Sequence, residues 1–186
     1  MAVGSGKLDK IEDFSDNRNR AWCIHCGGVL ANLVNNMDHV PTQSLLHKPR
    51  PHNLPKVPTC SRCNNGFSKD EQYAGTFLSC VVSGTTDPEK QFNTSAASAL
   101  RRSPALRSMI EQTKMERLFD DGQTQIVWTP DRERVDRVII KNARGHAFFE
   151  LGEPMMNKPD SVWAYPVELL TPEQRSEFEG ENETGG

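Results

Sequence analysis

No stretch of this sequence is both long and apolar enough to cross a bilayer. Residues 72–86 carry no charge, yet they include Gln72, Ser79, Ser83 and Thr85 and fall short of the roughly 20 apolar residues that a spanning helix needs. Apolar material is scarce throughout. Of the 186 residues 35% are hydrophobic and 7% aromatic, which limits the chain to a modest core with much loop. The length suits one domain, or a small domain with an appendage. Residues 1–10 lack an apolar run followed by a small-residue cleavage site, so no secretory leader is expected and the predicted compartment is the cytoplasm. Internal repeats are also missing.

One sign of charge is absent from a long window. Residues 39–69 contain no Asp or Glu, but they do contain Lys48, Arg50, Lys56, Arg62 and Lys69. The net charge of -3 argues against a general nucleic-acid binder, yet it averages over a basic face. The acid is concentrated in residues 171–186, where Glu173, Glu177, Glu179, Glu181 and Glu183 oppose a single Arg175.

Five cysteines are present, an odd number that disfavours a disulfide framework. Four of them form two C-x-x-C pairs, Cys23/Cys26 and Cys60/Cys63. That spacing suits tetrahedral zinc, because a two-residue spacer lets both thiolates of a tight turn reach one ion. Cys80 lies in an apolar helical stretch and reads as core. Residues 27–59 separate the pairs, longer than the spacer of about 15–20 residues in a simple ribbon, so something is inserted between the knuckles. The insert opens on an apolar, strand-like run at residues 29–34 and a predicted turn at Asn35-Asn36. Asp38-His39 follow, with a strand end expected at Val40-Pro41. Pro41, Pro49, Pro51, Pro55 and Pro58 then exclude helix and predict an extended loop, which carries His52-Asn53-Leu54.

Cys23-Ile-His-Cys26-Gly, Asp38-His39-Val-Pro, Asn53-Leu54 and Cys60-Ser-Arg-Cys63-Asn64, in this order, resemble the HNH endonucleases of the ββα-metal fold. The likeness is to their four-cysteine, zinc-bearing members, such as the phage junction-resolving endonucleases, and it covers about residues 22–71. It implies that Asp38 and Asn64 hold one divalent ion, that His39 is the general base on the attacking water and that Asn53 orients the His39 region. The ion would polarise the scissile phosphate and stabilise the leaving 3′ oxygen. Asn64 stands where the family name has its last His. An amide oxygen there favours Mg²⁺ or Mn²⁺ over Zn²⁺ as the catalytic ion, with Zn²⁺ structural at the cysteines. His25, inside the first knuckle, is expected to face solvent because four cysteines complete the tetrahedron. His47 and His52 are expected to be exposed. Lys48, Arg50, Lys56, Arg62 and Lys69 are the candidate nucleic-acid contacts.

Beyond Phe67 the sequence reads as scaffold. Ser68 to Glu71 forms a capping box for a helix running to about Ser83. Asp87-Pro88, Ser103-Pro104, Thr129-Pro130 and Thr171-Pro172 mark four further helix starts. Met109, Ile110, Thr113 and Leu118 are assigned to one of these helices; Val135, Val138, Ile139 and Asn142 are assigned to another. Residues 122–128 and 161–165 are candidate strands. The expected class is α+β. A disordered head (1–18) precedes a zinc-stabilised ββα-metal core (19–83), a mainly helical module (84–170) and an acidic tail (171–186), with residues 180–186 disordered.

The resulting expectation is a metal-dependent endonuclease that hydrolyses DNA phosphodiesters. Its alternatives are an RNA-directed nuclease and a non-catalytic, zinc-stabilised module that binds nucleic acid or protein. The C-terminal module, which carries no chemistry of its own, is expected to supply a homodimer or partner contact. No membrane association is expected.

Overall fold

The structure is a computed structural model and describes residues 19–118, 122–164 and 170–179. The segments expected to be disordered, 1–18 and 180–186, lie outside these. Helix and strand are mixed, as the α+β expectation requires. No helix among the described residues is long and apolar enough to cross a membrane.

Two strands, β1 (Asn35–His39) and β2 (Lys56–Cys60), pair antiparallel, with Asn35 opposite Cys60 and His39 opposite Lys56. Helix α1 (Ser61–Ser83) starts at the residue after β2. Strand, strand and helix therefore follow one another with only the 40–55 loop inserted. Three expectations need correction here. Asn35-Asn36 are not a turn but the start of β1, and the apolar run before them forms a 3-10 turn at Leu30–Asn32. Asn35 closes that turn with its own side chain, its Nδ2 donating to the Leu30 carbonyl at 3.0 Å. Pro58 is not loop but the middle of β2. Its carbonyl accepts from Ile24 N–H at 3.4 Å, so its backbone faces away from β1, where a missing N–H costs no ladder bond.

The start of α1 also differs from expectation by two turns. The sulfur of Cys60 accepts from Cys63 N–H at 3.4 Å and caps the helix, which displaces the expected start at Ser68. The helix ends near Ser83 as expected, because Gly84 adopts φ +69 and returns its N–H to the last carbonyls. Tyr73, Phe77 and Cys80 on one face of α1 pack against Ala99 and Leu100 of α2 (Thr94–Arg102) and Leu106 and Ile110 of α3 (Pro104–Glu111). Cys80 is fully buried, the core residue its surroundings predicted. Asp87-Pro88 yields only a 3-10 turn, Pro88–Lys90; α2 is initiated instead by Asn93, whose side chain accepts from Ser95 and Ala96 N–H. Ser103-Pro104 does start α3, but that helix ends at Glu111. Lys114–Leu118 is a strand, β3, paired with β4 (Thr124–Trp128), so Thr113 and Leu118 do not belong to the helix.

The last long helix, α4 (Arg132–Leu151), lies against both α1 and the β1–β2 hairpin. It starts two residues after Thr129-Pro130 because Asp131 caps it by accepting from Arg134 N–H, while Asp131 N–H donates to the Tyr73 hydroxyl at 2.8 Å. Phe148 and Phe149 of α4 form one buried cluster with Ile24, Val40 and Val57. Helix and strand end approach so closely that a Cβ on Gly145 would meet Val40 Cγ2 at 2.6 Å. Residues 161–164 are not a strand and Tyr165 lies outside the described residues. Thr171-Pro172 opens α5 (Pro172–Glu179) as expected.

Candidate metal centre and the strand-end site

Cys23 and Cys26 sit on a tight turn in which Gly27 N–H donates to Cys23 O at 2.8 Å and Cys23 N–H to Gly28 O at 2.9 Å. Gly27 takes the left-handed conformation this turn needs, φ +68. Cys60 ends β2, and Cys63 lies in the first turn of α1. The four sulfurs lie within 4.8 Å of one another, and Cys26 Sγ is 3.9 Å from Cys60 Sγ. Zinc–sulfur bonds of about 2.3 Å in a tetrahedron place the sulfurs about 3.8 Å apart, so the donors present fit a zinc ion in both number and spacing. Cys23 and Cys60 are buried beside Leu30. Burial pushes the Cys23 thiol up, but hydrogen bonds from the Cys60, His25 and Cys26 backbone and the Thr59 hydroxyl outweigh it and bring it down to about 6. Burial and the neighbouring sulfurs of Cys60 and Cys26 push the Cys63 thiol up. The surroundings thus favour the thiolate at Cys23 and oppose it at Cys63. A divalent cation resolves that conflict.

His25 does not face solvent. Its side chain is 3% exposed, set edge-on to Phe67 with ring centroids 4.9 Å apart, and neither ring nitrogen has a hydrogen-bond partner. Its Nε2 lies 3.9 Å from Asp38 Oδ2. The turn that gathers Cys23 and Cys26 thus directs the residue between them inward, beneath β1.

Asp38 and His39 close β1, and strand alternation sends them to opposite faces. Asp38 is buried, with its Oδ2 2.8 Å from the Nζ of Lys141 in α4; Lys141 also bonds the Glu71 carboxylate of α1. Burial alone would raise the Asp38 carboxyl, but the His25 ring and the Lys141 ammonium hold it below the usual carboxylate range. His39 is half-buried opposite Lys56. Partial burial and then the Lys56 charge push its imidazole below the ordinary histidine value, with Lys141 and Arg50 adding to the effect and Asp38 opposing it. Its neutral form is therefore favoured relative to a free imidazole.

Asn64, in the first turn of α1, donates from Nδ2 to Asn36 Oδ1 at 3.1 Å. Asn53 is half-buried in the turn before β2. As arranged, the donor set does not fit a divalent ion at Asp38 and Asn64. The Asp38 carboxylate is already paired with the Lys141 ammonium, and Asn64 is tied through its Nδ2 to Asn36.

His47 and His52 are exposed, as expected. Lys48, Lys56, Arg62 and Lys69 are exposed too, while Arg50 is half-buried and donates to Gln43 Oε1 at 3.1 Å. Sequence reasoning overlooked Glu71 and Lys141. The available signal was spacing: Val138, Lys141, Gly145 and Phe148 fall at helical intervals on the buried face of α4, and a lysine on such a stripe needs an acidic partner. No protein-family model, curated protein or solved structure matches this chain.

Proposed function

We propose that this chain is an HNH-type endonuclease that hydrolyses phosphodiester bonds in nucleic acid, with DNA as substrate and His39 as general base. The observation that carries the reading is His39 itself: a partly exposed imidazole at the end of β1, opposite Lys56, whose burial and cationic neighbours lower its affinity for protons, at the edge of an acid-free basic window. A neutral imidazole can take the proton of an attacking water. As the water oxygen bonds to phosphorus and the bond to the 3′ oxygen breaks, Lys56 and Arg50 can bear the charge that grows on the phosphate oxygens, and the leaving 3′ oxygen takes a proton from solvent. Lys48, Arg62 and Lys69, exposed and in the same acid-free stretch of sequence, are the further phosphate contacts of this reading. In this reading zinc at Cys23, Cys26, Cys60 and Cys63 is structural and fixes the end of β2 and the start of α1. In the same reading Asp38 holds the strand end through Lys141 and Asn53 orients the His39 region, while Asn64 bonds Asn36 near the start of β1; no step is routed through a second metal, because the Asp38 carboxylate is already paired with an ammonium.

Incubating the zinc-loaded chain with supercoiled plasmid and with single-stranded RNA, each with and without Mg²⁺, tests the reading. Conversion of plasmid to nicked or linear form that His39→Ala abolishes is the expected result. Degradation of RNA alone would reassign the substrate. One observation favours a second reading, a zinc-stabilised binding module without catalysis: Asp38 is occupied by Lys141. Retention of plasmid in a mobility-shift assay without cleavage under any metal condition would select it.

A further inference from the structure

Lys141 is the only lysine or arginine that is buried among the described residues. Its side chain, 2% exposed, reaches from α4 to Asp38 on β1 and to Glu71 on α1, so three separate elements meet at one ammonium. The wall beside it is His25, buried and without a hydrogen-bond partner for either ring nitrogen. Two carboxylates with an imidazole at their edge are the donor chemistry of a divalent-cation site. Here the point on which the carboxylates converge is filled by protein. A second cation on the same oxygens would face the ammonium at bonding distance in a water-poor setting, where like charges repel most strongly.

We propose that Lys141 is the resident cation of this centre: it takes the place of a divalent ion between Asp38 and Glu71, so that Asp38 holds the strand end carrying His39 and does not ligate metal. Lys141 is then a positioning residue that acts through Asp38. The inference deepens the endonuclease reading and rests on it only for the role of His39.

Mn²⁺ titration of the full-length, zinc-loaded chain, read by the EPR signal of the free ion, tests the proposal. Wild type and Lys141→Arg should bind no Mn²⁺ at millimolar concentration that Asp38→Asn removes. Lys141→Met should gain one Mn²⁺ site, lose it in combination with Asp38→Asn, and melt at a higher temperature with Mn²⁺ than without, a shift the wild type should not have. One Asp38-dependent Mn²⁺ bound to wild type would overturn the proposal, as would a folded Lys141→Met that gains no site. If Lys141→Met does not fold, the comparison of wild type with Asp38→Asn decides alone. Cleavage measured on the same preparations separates the two claims. Cleavage without bound Mn²⁺ supports both. Cleavage that needs an Asp38-dependent Mn²⁺ keeps the endonuclease and overturns the resident-cation role. An inert chain with no Mn²⁺ site keeps the role of Lys141 and removes the endonuclease.

Discussion

Lysine 56 sits across the hairpin from His39 and, after partial burial, is the main cause of that imidazole's lowered affinity for protons. The sign of the effect on catalysis follows. In the proposed reaction the active form is the neutral base, so cleavage should rise with pH through a midpoint below the ordinary histidine value of about 6.5 and level off above it. Lys56→Gln removes a repelling cation, raises the imidazole pKa and should move that limb to higher pH in a pH–rate profile. A profile that does not move would mean His39 is not the titrating base. His39→Ala should lower the rate by at least about 10²-fold with little change in Tm. Two residues away from the first zinc-site cysteine, His25 invites a different experiment. A buried donor and acceptor with no partners cost free energy, and removing them can be neutral or stabilising. His25→Phe keeps the edge contact with Phe67 but removes the ring that helps hold the Asp38 carboxyl down, so the two effects oppose each other and Tm should change little in a thermal melt. A large loss would mean the imidazole is held by something more than packing.

At the scale of elements, the four clustered cysteines join three pieces of chain: the first turn, the end of β2 and the start of α1. Cys60 serves twice, as a member of the thiol cluster and as the helix cap. Chelation of zinc should therefore unwind the beginning of α1 along with the knuckles, seen as lost amide protection in residues 61–67 before the 73–80 segment, which is anchored independently against α2 and α3. Gly145 controls the other junction. Gly145→Ala drives a methyl into Val40 and should cost about 1–3 kcal/mol in denaturant melts, with Phe148 and Phe149 loosening from the hairpin. These contacts also explain how much could be read in advance. The four cysteines, the strand end at Val40-Pro41, the end of α1 and the starts of α3 and α5 were legible, since each depends on a local spacing or a cap. Cys60 as a cap, Asn35 in a strand and Pro58 in β2 were not, because a thiol, an Asn and a Pro there take their roles from partners brought by the fold. Lys141 on Asp38 is the extreme case, as no local signal connects α4 to β1.

For the whole molecule, the net charge of -3 sets the terms on which it meets a polyanion. Few phosphates can be neutralised by the exposed cations of one face, so unaided DNA affinity should be weak and fall steeply with salt. Replacing Lys48, Arg50 and Lys56 by Gln should weaken binding alike on all sequences and flatten the log–log salt dependence by about one unit per lost phosphate contact. An unchanged slope would move the recognition surface elsewhere. The docking of α4 has a further consequence, in time. Thr42 N–H donates to Asn142, 100 residues further along the chain, one residue beyond the lysine that completes the Asp38 centre. At synthesis rates of about 5–20 residues per second, α4 emerges about 5–20 s after the strand it must cover. During that interval a growing chain carries Asp38 without its ammonium and Val40 without its aromatic cover. The nascent protein is thus a different chemical object from the finished one, with an open carboxylate and a sticky strand end that only the arrival of α4 closes.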